Sequence, residues 1–330
     1  MNYCTLFNSA YLSRGLALYS SLLQHAKDFH LYIFAFDDIV YQLLLKLQLP
    51  HATVISLKEF ETPDLLKIKA TRTTTEYCWT CTPSILVHCL EKYALTAVCY
   101  LDADLYFWND PQVLLDEANH DSILLTEHRY TKEYDQADLS GKYCVQFMVF
   151  KNDPAGLKAL YWWRDACLDW CYNRREQGKF GDQKYLDDWL DRFANVKVLT
   201  HLGGGVAPWN VQQYQIVEPI KPMLCAKESG EKFNLVFYHF HALKFVGNAV
   251  DFGRYKLSNT VIKSLYLPYV QQLLKIQSEL TSNDMVSPLL NDINLHGKNH
   301  PSHSMINTLR ALKHRLKGIY HVYPLAEFST

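Results

Sequence analysis

The stretch Ala97-Val-Cys-Tyr-Leu-Asp-Ala-Asp-Leu-Tyr-Phe107 sets the fold expectation for the whole chain. An apolar, β-prone run ends in two carboxylates, Asp102 and Asp104, one residue apart. Continuous apolar runs suit a strand buried on both faces of an α/β sheet. In an extended backbone, residues i and i+2 share a side, so both carboxylates are expected to converge on one object. A strand that ends here places them at its carboxyl edge, where open α/β sheets bind ligands. Two oxygen ligands so close together suit a hard divalent cation, Mg2+ or Mn2+, that also holds phosphate oxygens. A bare Asp-x-Asp also occurs in solvated loops, and the apolar strand directly in front favours the ligand-holding reading.

Toward the N-terminus, Tyr3–Phe7 is a short β-prone run, followed by a helical pattern from Tyr11 to His25 with Ser9 or Ser13 as its cap. Leu31–Phe36 reads as a second buried strand ending at Asp37-Asp38, Ile39–Leu49 as a helix and Thr53–Leu57 as a strand. Glu61–Thr75 is polar and irregular, and Thr80–Tyr93 is the helix leading into the Asp102 strand. Strands alternating with helices in this way predict a wound, parallel sheet with its ligand edge at the strand ends. Toward the C-terminus, Ser122–Thr126 and Tyr143–Phe150 read as strands, Gly156–Arg175 as a long helix and Asp182–Leu190 as a shorter one. Val196–Leu199, Gln215–Glu218 and Phe233–Phe240 are further strands. Beyond Val250 the pattern turns helical, over Leu257–Leu280 and Met305–Tyr320, with a polar stretch between. The expected organisation is one domain over 1–250 and a helical extension over 251–330.

With 330 residues, 48% hydrophobic and 20% charged, the chain is long enough for a large α/β domain and an appendage. A formal net charge of −1 argues against broad nucleic-acid binding, which needs a basic footprint. Nine scattered cysteines, no visible signal peptide and no apolar stretch of spanning length predict a cytoplasmic protein with free thiols. Cys78-Trp-Thr-Cys81 lacks a second pair or a His partner, so buried small side chains are favoured over a redox or zinc role.

Several segments together resemble the GT-A-fold nucleotide-sugar glycosyltransferases, nearest to the retaining family that includes glycogenin and the bacterial lipooligosaccharide galactosyltransferases. Leu6-Phe-Asn-Ser-Ala-Tyr11 is similar to the family's nucleotide-cradling start, which implies donor contacts from Phe7, Asn8 and Tyr11. Tyr100-Leu-Asp-Ala-Asp-Leu-Tyr-Phe107 is similar to the metal-binding Asp-x-Asp strand, with Asp102 also meeting the donor. Phe180-Gly-Asp-Gln-Lys-Tyr-Leu186 resembles the segment that touches the donor sugar and implies catalytic roles for Asp182 and Gln183. Tyr238-His-Phe-His-Ala-Leu-Lys244 is similar to the late His-x-x-Gly-x-x-Lys-Pro-Trp motif, in which the His completes the metal site and the Lys meets phosphate. That implies His239, with His241 as the other candidate, for the metal and Lys244 for the donor. The chain departs from the pattern at Cys144-Val-Gln146, where the family has Asn-x-Gly, and in lacking the late Gly, Pro and Trp.

The chemistry asks for these residue types. A sugar nucleotide's diphosphate concentrates negative charge, and a divalent cation held by two carboxylates and a neutral imidazole offsets it as a Lewis acid. Gly203-Gly-Gly-Val-Ala-Pro-Trp-Asn210 lacks a phosphate-loop pattern. It is either a structural turn or a loop presenting Trp209 and Asn210 to the acceptor, with His201 a lower-ranked metal candidate. Arg72 is either solvated or a phosphate contact, and Asp182 opening a helix is either a cap or a catalytic group. The resemblance implies retention of anomeric configuration; an inverting enzyme would need a base such as Asp182 or Asp188. The basic, Leu-rich segment Met305–Tyr320 fits either a solvated face or peripheral contact with anionic lipid, as for a lipid-linked saccharide acceptor. The expectation is a UDP-sugar-dependent transferase of bacterial surface polysaccharide or lipopolysaccharide. Its rivals are a sugar-nucleotide nucleotidyltransferase, disfavoured by the absence of a Gly- and Arg/Lys-rich loop after the first strand, and a non-catalytic carbohydrate-binding protein.

Overall fold

The computed structural model describes residues 1–282 and 313–328. Strands β1 (Asn2–Phe7), β2 (His30–Ala35), β3 (Ala52–Ser56) and β4 (Ala97–Leu101) are joined by the helices Leu12–His25, Asp38–Leu47 and Thr74–Lys92. Just past β4, a short β5 (Leu105–Phe107) leaves the main sheet. Strands β6 (Ile123–Glu127), β7 (Tyr143–Lys151) and β8 (Val196–Val198) complete it in the order β3-β2-β1-β4-β7-β6-β8. Pairing is parallel except at β7, which runs antiparallel to both β4 and β6, so the sheet is mostly parallel, as the alternating pattern predicts.

Period-two alternation builds a core on each face of this sheet. Tyr3, Phe7, Leu31, Ile33, Cys99 and Leu101 point to one side, toward the helices Leu12–His25 and Asp38–Leu47. Cys4, Leu6, Tyr32, Phe34, Val98 and Tyr100 point to the other, toward Thr74–Lys92 and the helix Pro154–Asp169. On that second side Trp163 and Trp189 are fully buried against each other and against Phe150 of β7.

Local rules explain where the elements differ from expectation. The helix expected over Thr80–Tyr93 begins at Thr74 because Thr73 and Glu76 form a reciprocal capping box. The polar run before it contains a helix, Pro63–Lys69, anchored by buried Leu65. The long helix expected over Gly156–Arg175 runs Pro154–Asp169, started by Asp153 accepting the Gly156 N–H at 2.8 Å. Neither Ser9 nor Ser13 caps the first helix; a 3-10 turn, Ser9–Tyr11, leads into it, and the Ser9 N–H donates to Asp37 at 2.7 Å. The helix expected over Asp182–Leu190 is two short turns, Gln183–Leu186 and Trp189–Arg192.

Late in the chain, β9 (Tyr214–Glu218), β10 (Met223–Ala226) and β11 (Lys232–Asn234) form an antiparallel sheet, and β12 (Phe237–His239) pairs with β5. The strand expected over Phe233–Phe240 is thus divided between two sheets. Strands β13 (Lys244–Val246), β14 (Ala249–Asp251) and β15 (Val322–Pro324) form a third small sheet. The helix Leu267–Ser282 places Tyr269, Leu273, Ile276 and Leu280 in the same core as Leu12 and Leu16. Of the helix expected over Met305–Tyr320, residues 305–312 lie outside the described residues, and 313–316 are helical. Among the described residues no helix is long and apolar enough to cross a membrane.

Candidate functional site

The acidic doublet sits on a turn, not on an extended strand. After β4 the N–H of Leu105 returns to the carbonyl of Asp102 at 3.2 Å, and that turn carries both carboxylates. The convergence expected from strand alternation is therefore achieved by the turn and by a group that faces it. β12 lies antiparallel to β5 with His239 opposite Leu105, and the Phe240 N–H donates to the Asp104 carbonyl at 3.0 Å. His239 Nε2 lies 3.1 Å from Asp104 Oδ1 and 3.7 Å from Asp102 Oδ2. One ligand atom from each of Asp102, Asp104 and His239 falls within 4.8 Å of the others. Two hard carboxylate oxygens and one imidazole nitrogen converging at that spacing fit a divalent cation of the Mg2+ or Mn2+ kind.

Burial and charge pull the three groups apart electrostatically. Burial raises both carboxyls, but beside His239 Asp104 falls to about 2, whereas Asp102 remains at about 6. Burial alone would lower His239; the two carboxylates outweigh it and raise the imidazole well above its usual value. His239 Nδ1 meets Gln146 Oε1 at 2.9 Å, and the Trp209 ring stands edge-on to it at 5.3 Å. Tyr100 donates to Asp102 Oδ1 at 3.0 Å. Asp182, buried and close enough to feel Asp102, is raised to about 8, first by lost solvation and then by that charge.

Not every expected group is brought to this point. Phe7 is buried with its ring filling the space beside Gly15, Asn8 is half-buried at the start of the 3-10 turn, and Tyr11 is 43% exposed at its end. Tyr11 lies over the Arg14 guanidinium at 4.6 Å. Gln183 is half-buried beside Asp182. Asp188 is an exposed partner of Arg192 on the surface and is not positioned as a base. Asp182 is buried behind the acid pair, and its side chain does not cap the turn that follows it. Arg72 stacks its guanidinium over Tyr172 at 3.8 Å and bonds the Leu168 carbonyl, which makes it a structural cation.

Trp209 and Asn210 are buried with their donors spent on the His128 carbonyl at 2.9 and 2.8 Å, and Asn210 also takes the Ala207 N–H. They brace His239 and His128 and present no polar group to an acceptor. His201 accepts the Gly203 N–H at 3.1 Å and does not join the acid pair. His241 edges onto Trp209 at the rim, lowered to about 4 by lost solvation and by His239. Lys244 projects from β13 into solvent.

The cation delivered to the interior is one the sequence reading passed over. Arg14, 6% exposed, donates to the Leu243 carbonyl at 2.9 Å and to Ala10 at 3.2 Å under the Tyr11 ring, and its charge helps hold Asp104 low. The available signal was an arginine inside the apolar run Leu12-Ser-Arg-Gly-Leu16, because such a charge is buried only when it has partners.

His128, stacked on Tyr130, is held at about 3, chiefly by burial and further by His239 and His241. Its folded value lies below its unfolded one, so the unfolded chain protonates first and stability falls as pH drops below about 6.5, by about 1.4 kcal/mol per pH unit. Chemical denaturation at pH 6.5 and pH 5 should differ by about 2 kcal/mol from this residue alone, and the slope should flatten in His128→Gln. An unchanged slope in that variant would exclude it.

No family model matches the chain. Among solved structures, the galactosyltransferase LgtC in complex with donor and acceptor sugar analogs aligns with a TM-score of 0.51 at 8% identity, covering 83% of this chain and 96% of that one. Together with the sheet order and the strand-end acid pair, that defines a chain of the GT-A glycosyltransferase fold. Bacillus subtilis (strain 168) has two relatives, both described as uncharacterized proteins. YfnF is 34% identical over 252 residues, covering 74% of this chain and 82% of YfnF. YfnD is 29% identical over 289 residues, covering 85% of this chain and 91% of YfnD. The chain belongs to the YfnF family.

Proposed function

We propose that this chain is a metal-dependent glycosyltransferase that moves a sugar from a nucleotide diphosphate, a UDP-sugar, to a saccharide acceptor. The observation that carries the reading is the convergence of Asp102, Asp104 and His239 within 4.8 Å at the carboxyl edge of a wound sheet. Mn2+ or Mg2+ held there would act as a Lewis acid on the diphosphate oxygens. Around it, Asn8 and Tyr11 flank the nucleotide over the buried Phe7, and Arg14 supplies fixed positive charge behind Asp104. Asp182, buried behind the acid pair, meets the donor sugar, with Gln183 beside it.

Transfer proceeds with retention. The acceptor hydroxyl oxygen bonds to C1 on the face from which the diphosphate departs, the C1–O bond to phosphate breaks, and the acceptor's proton passes to the leaving phosphate oxygen. Asp182 is then not needed as a base, in keeping with its raised value.

Incubation with UDP-, GDP- and ADP-sugars should give Mn2+-dependent release of free nucleotide from UDP-sugars, stopped by chelator. Release of pyrophosphate from sugar phosphate and nucleoside triphosphate would instead mark a nucleotidyltransferase. Binding of saccharide with no turnover of any donor would mark a carbohydrate-binding protein.

A lipid-linked acceptor would be served by the exposed Lys313, Arg315, Leu316 and Lys317, where each basic residue near an anionic surface contributes about 1 kcal/mol. Charge reversal of the three basic residues should release the protein from anionic vesicles in co-sedimentation; undiminished binding would refute this contact. Deleting the whole C-terminus is the poorer test, because it removes β15 and buried Phe328.

A further inference from the structure

Gln146, in the middle of β7, is wholly buried and touches both arms of the acid–imidazole site. Its main-chain carbonyl accepts the Asp102 N–H at 3.0 Å, which extends the β4–β7 pairing past the end of β4 to the first carboxylate. Its side-chain Oε1 stands 2.9 Å from His239 Nδ1. The remaining amide nitrogen, Nε2, is buried and meets no acceptor. A buried donor left unmet costs free energy, and an apolar side chain of the same length would avoid that cost. Gln146 is therefore poorly explained as packing.

The chemistry of the pair supplies the explanation. An amide oxygen only accepts, so Nδ1 carries a hydrogen, and the proton on Nε2 that the carboxylates hold is the one a cation would displace, leaving the Nε2 lone pair to face it. The opposite amide orientation would need Nδ1 as an acceptor, so Nε2 would have to keep its hydrogen and could not bind a cation. Trp209, edge-on to the imidazole, closes off the rotation that would relieve it.

We propose that Gln146 is a positioning residue of the metal centre: it fixes the tautomer and aim of His239 and ties that ring to the turn bearing Asp102. The proposal rests on the metal-dependent reading above. Ligating histidines hold their geometry through the partner of the other ring nitrogen, and loss of such a partner weakens metal affinity by about 10- to 100-fold.

The test is Mn2+ binding by the full chain, followed by titration calorimetry or by loss of the free-ion EPR signal. Gln146→Met keeps the length and removes the acceptor; Gln146→Glu keeps an acceptor facing Nδ1. The expected order is a loss of about 10- to 100-fold in Gln146→Met and affinity within about threefold of wild type, or tighter, in Gln146→Glu. Gln146→Met exchanges the orphaned Nε2 for an orphaned His239 Nδ1–H, so it should still fold with a stability change of at most about 1–3 kcal/mol, and any turnover it has lost should return at saturating Mn2+.

A purely structural role predicts Mn2+ affinity that does not depend on an acceptor at this position, with Gln146→Met and Gln146→Glu binding alike. Equal Mn2+ affinity in wild type and Gln146→Met would overturn the positioning role alone. Absence of Mn2+ binding by wild type would overturn the metal centre and this role with it. If Gln146→Met does not fold, a folded Gln146→Glu that loses more than tenfold in affinity still refutes the proposal.

Discussion

Asp104→Asn is expected to lower Mn2+-dependent turnover by about 10³-fold while the chain still unfolds cooperatively. Lewis-acid stabilisation of a departing diphosphate is worth several kcal/mol, and about 4 kcal/mol corresponds to a factor of about 10³. Asn matches Asp in shape but carries no charge and offers only one weaker oxygen. The group lost is the one nearest His239, at 3.1 Å, so both the cation's ligand and the imidazole's counter-charge disappear together. Asp104 does not pack the core, since its side chain keeps 13% of its surface open, so circular dichroism should remain native. The assay is nucleotide release from UDP-sugar across a Mn2+ titration. Turnover within about tenfold of wild type at saturating metal would refute the assignment of Asp104 as a ligand.

Gly203→Ala is expected to destabilise the fold by about 3 kcal/mol, at the upper end for overpacking, and to weaken Mn2+ binding in whatever remains folded. A Cβ on residue 203 would lie 2.1 Å from the Asn234 carbonyl oxygen, a main-chain atom that cannot swing aside. The Gly203 carbonyl in turn accepts the N–H groups of Val236 and Phe237 at 2.9 and 3.2 Å, the entry to β12. Relief of the clash therefore pushes on the strand whose last residue is His239. Chemical denaturation measures the first effect and metal titration the second. Wild-type behaviour in both would mean the loop is not what seats β12.

The same glycine shows where sequence reading stops. Its neighbours Gly203-Gly-Gly-Val-Ala-Pro-Trp-Asn210 invite a ligand-binding interpretation, yet the need for glycine comes from a backbone many residues later in the chain, which no local pattern reveals. Trp209 and Asn210 mislead for a related reason. Polar and aromatic side chains in a loop look available until the carbonyl of His128 arrives to use them. The doublet Asp102 and Asp104 was legible because a continuous apolar strand and two nearby acids are both local signals, whereas His239 came only from the resemblance of Tyr238-His-Phe-His241 to a late family motif, with His241 left open. Thr73-Thr-Thr-Glu76 was an equally local capping signal, and reading it would have begun the third long helix six residues earlier. The roles of Arg14 and Gln146 and the raised carboxyl of Asp182 depend on burial, and burial is decided by the whole fold.

The pairing of β5 with β12 bears on how the molecule is made. Ribosomal synthesis delivers the two acids early, inside a sheet whose first four strands can already associate, while the imidazole emerges long afterwards. An unfinished polypeptide thus carries a half-built cation seat with like charges facing each other. A cation held by all three groups could be captured only once β12 has paired, and a bound ion would then report that the distant halves of the polypeptide have met.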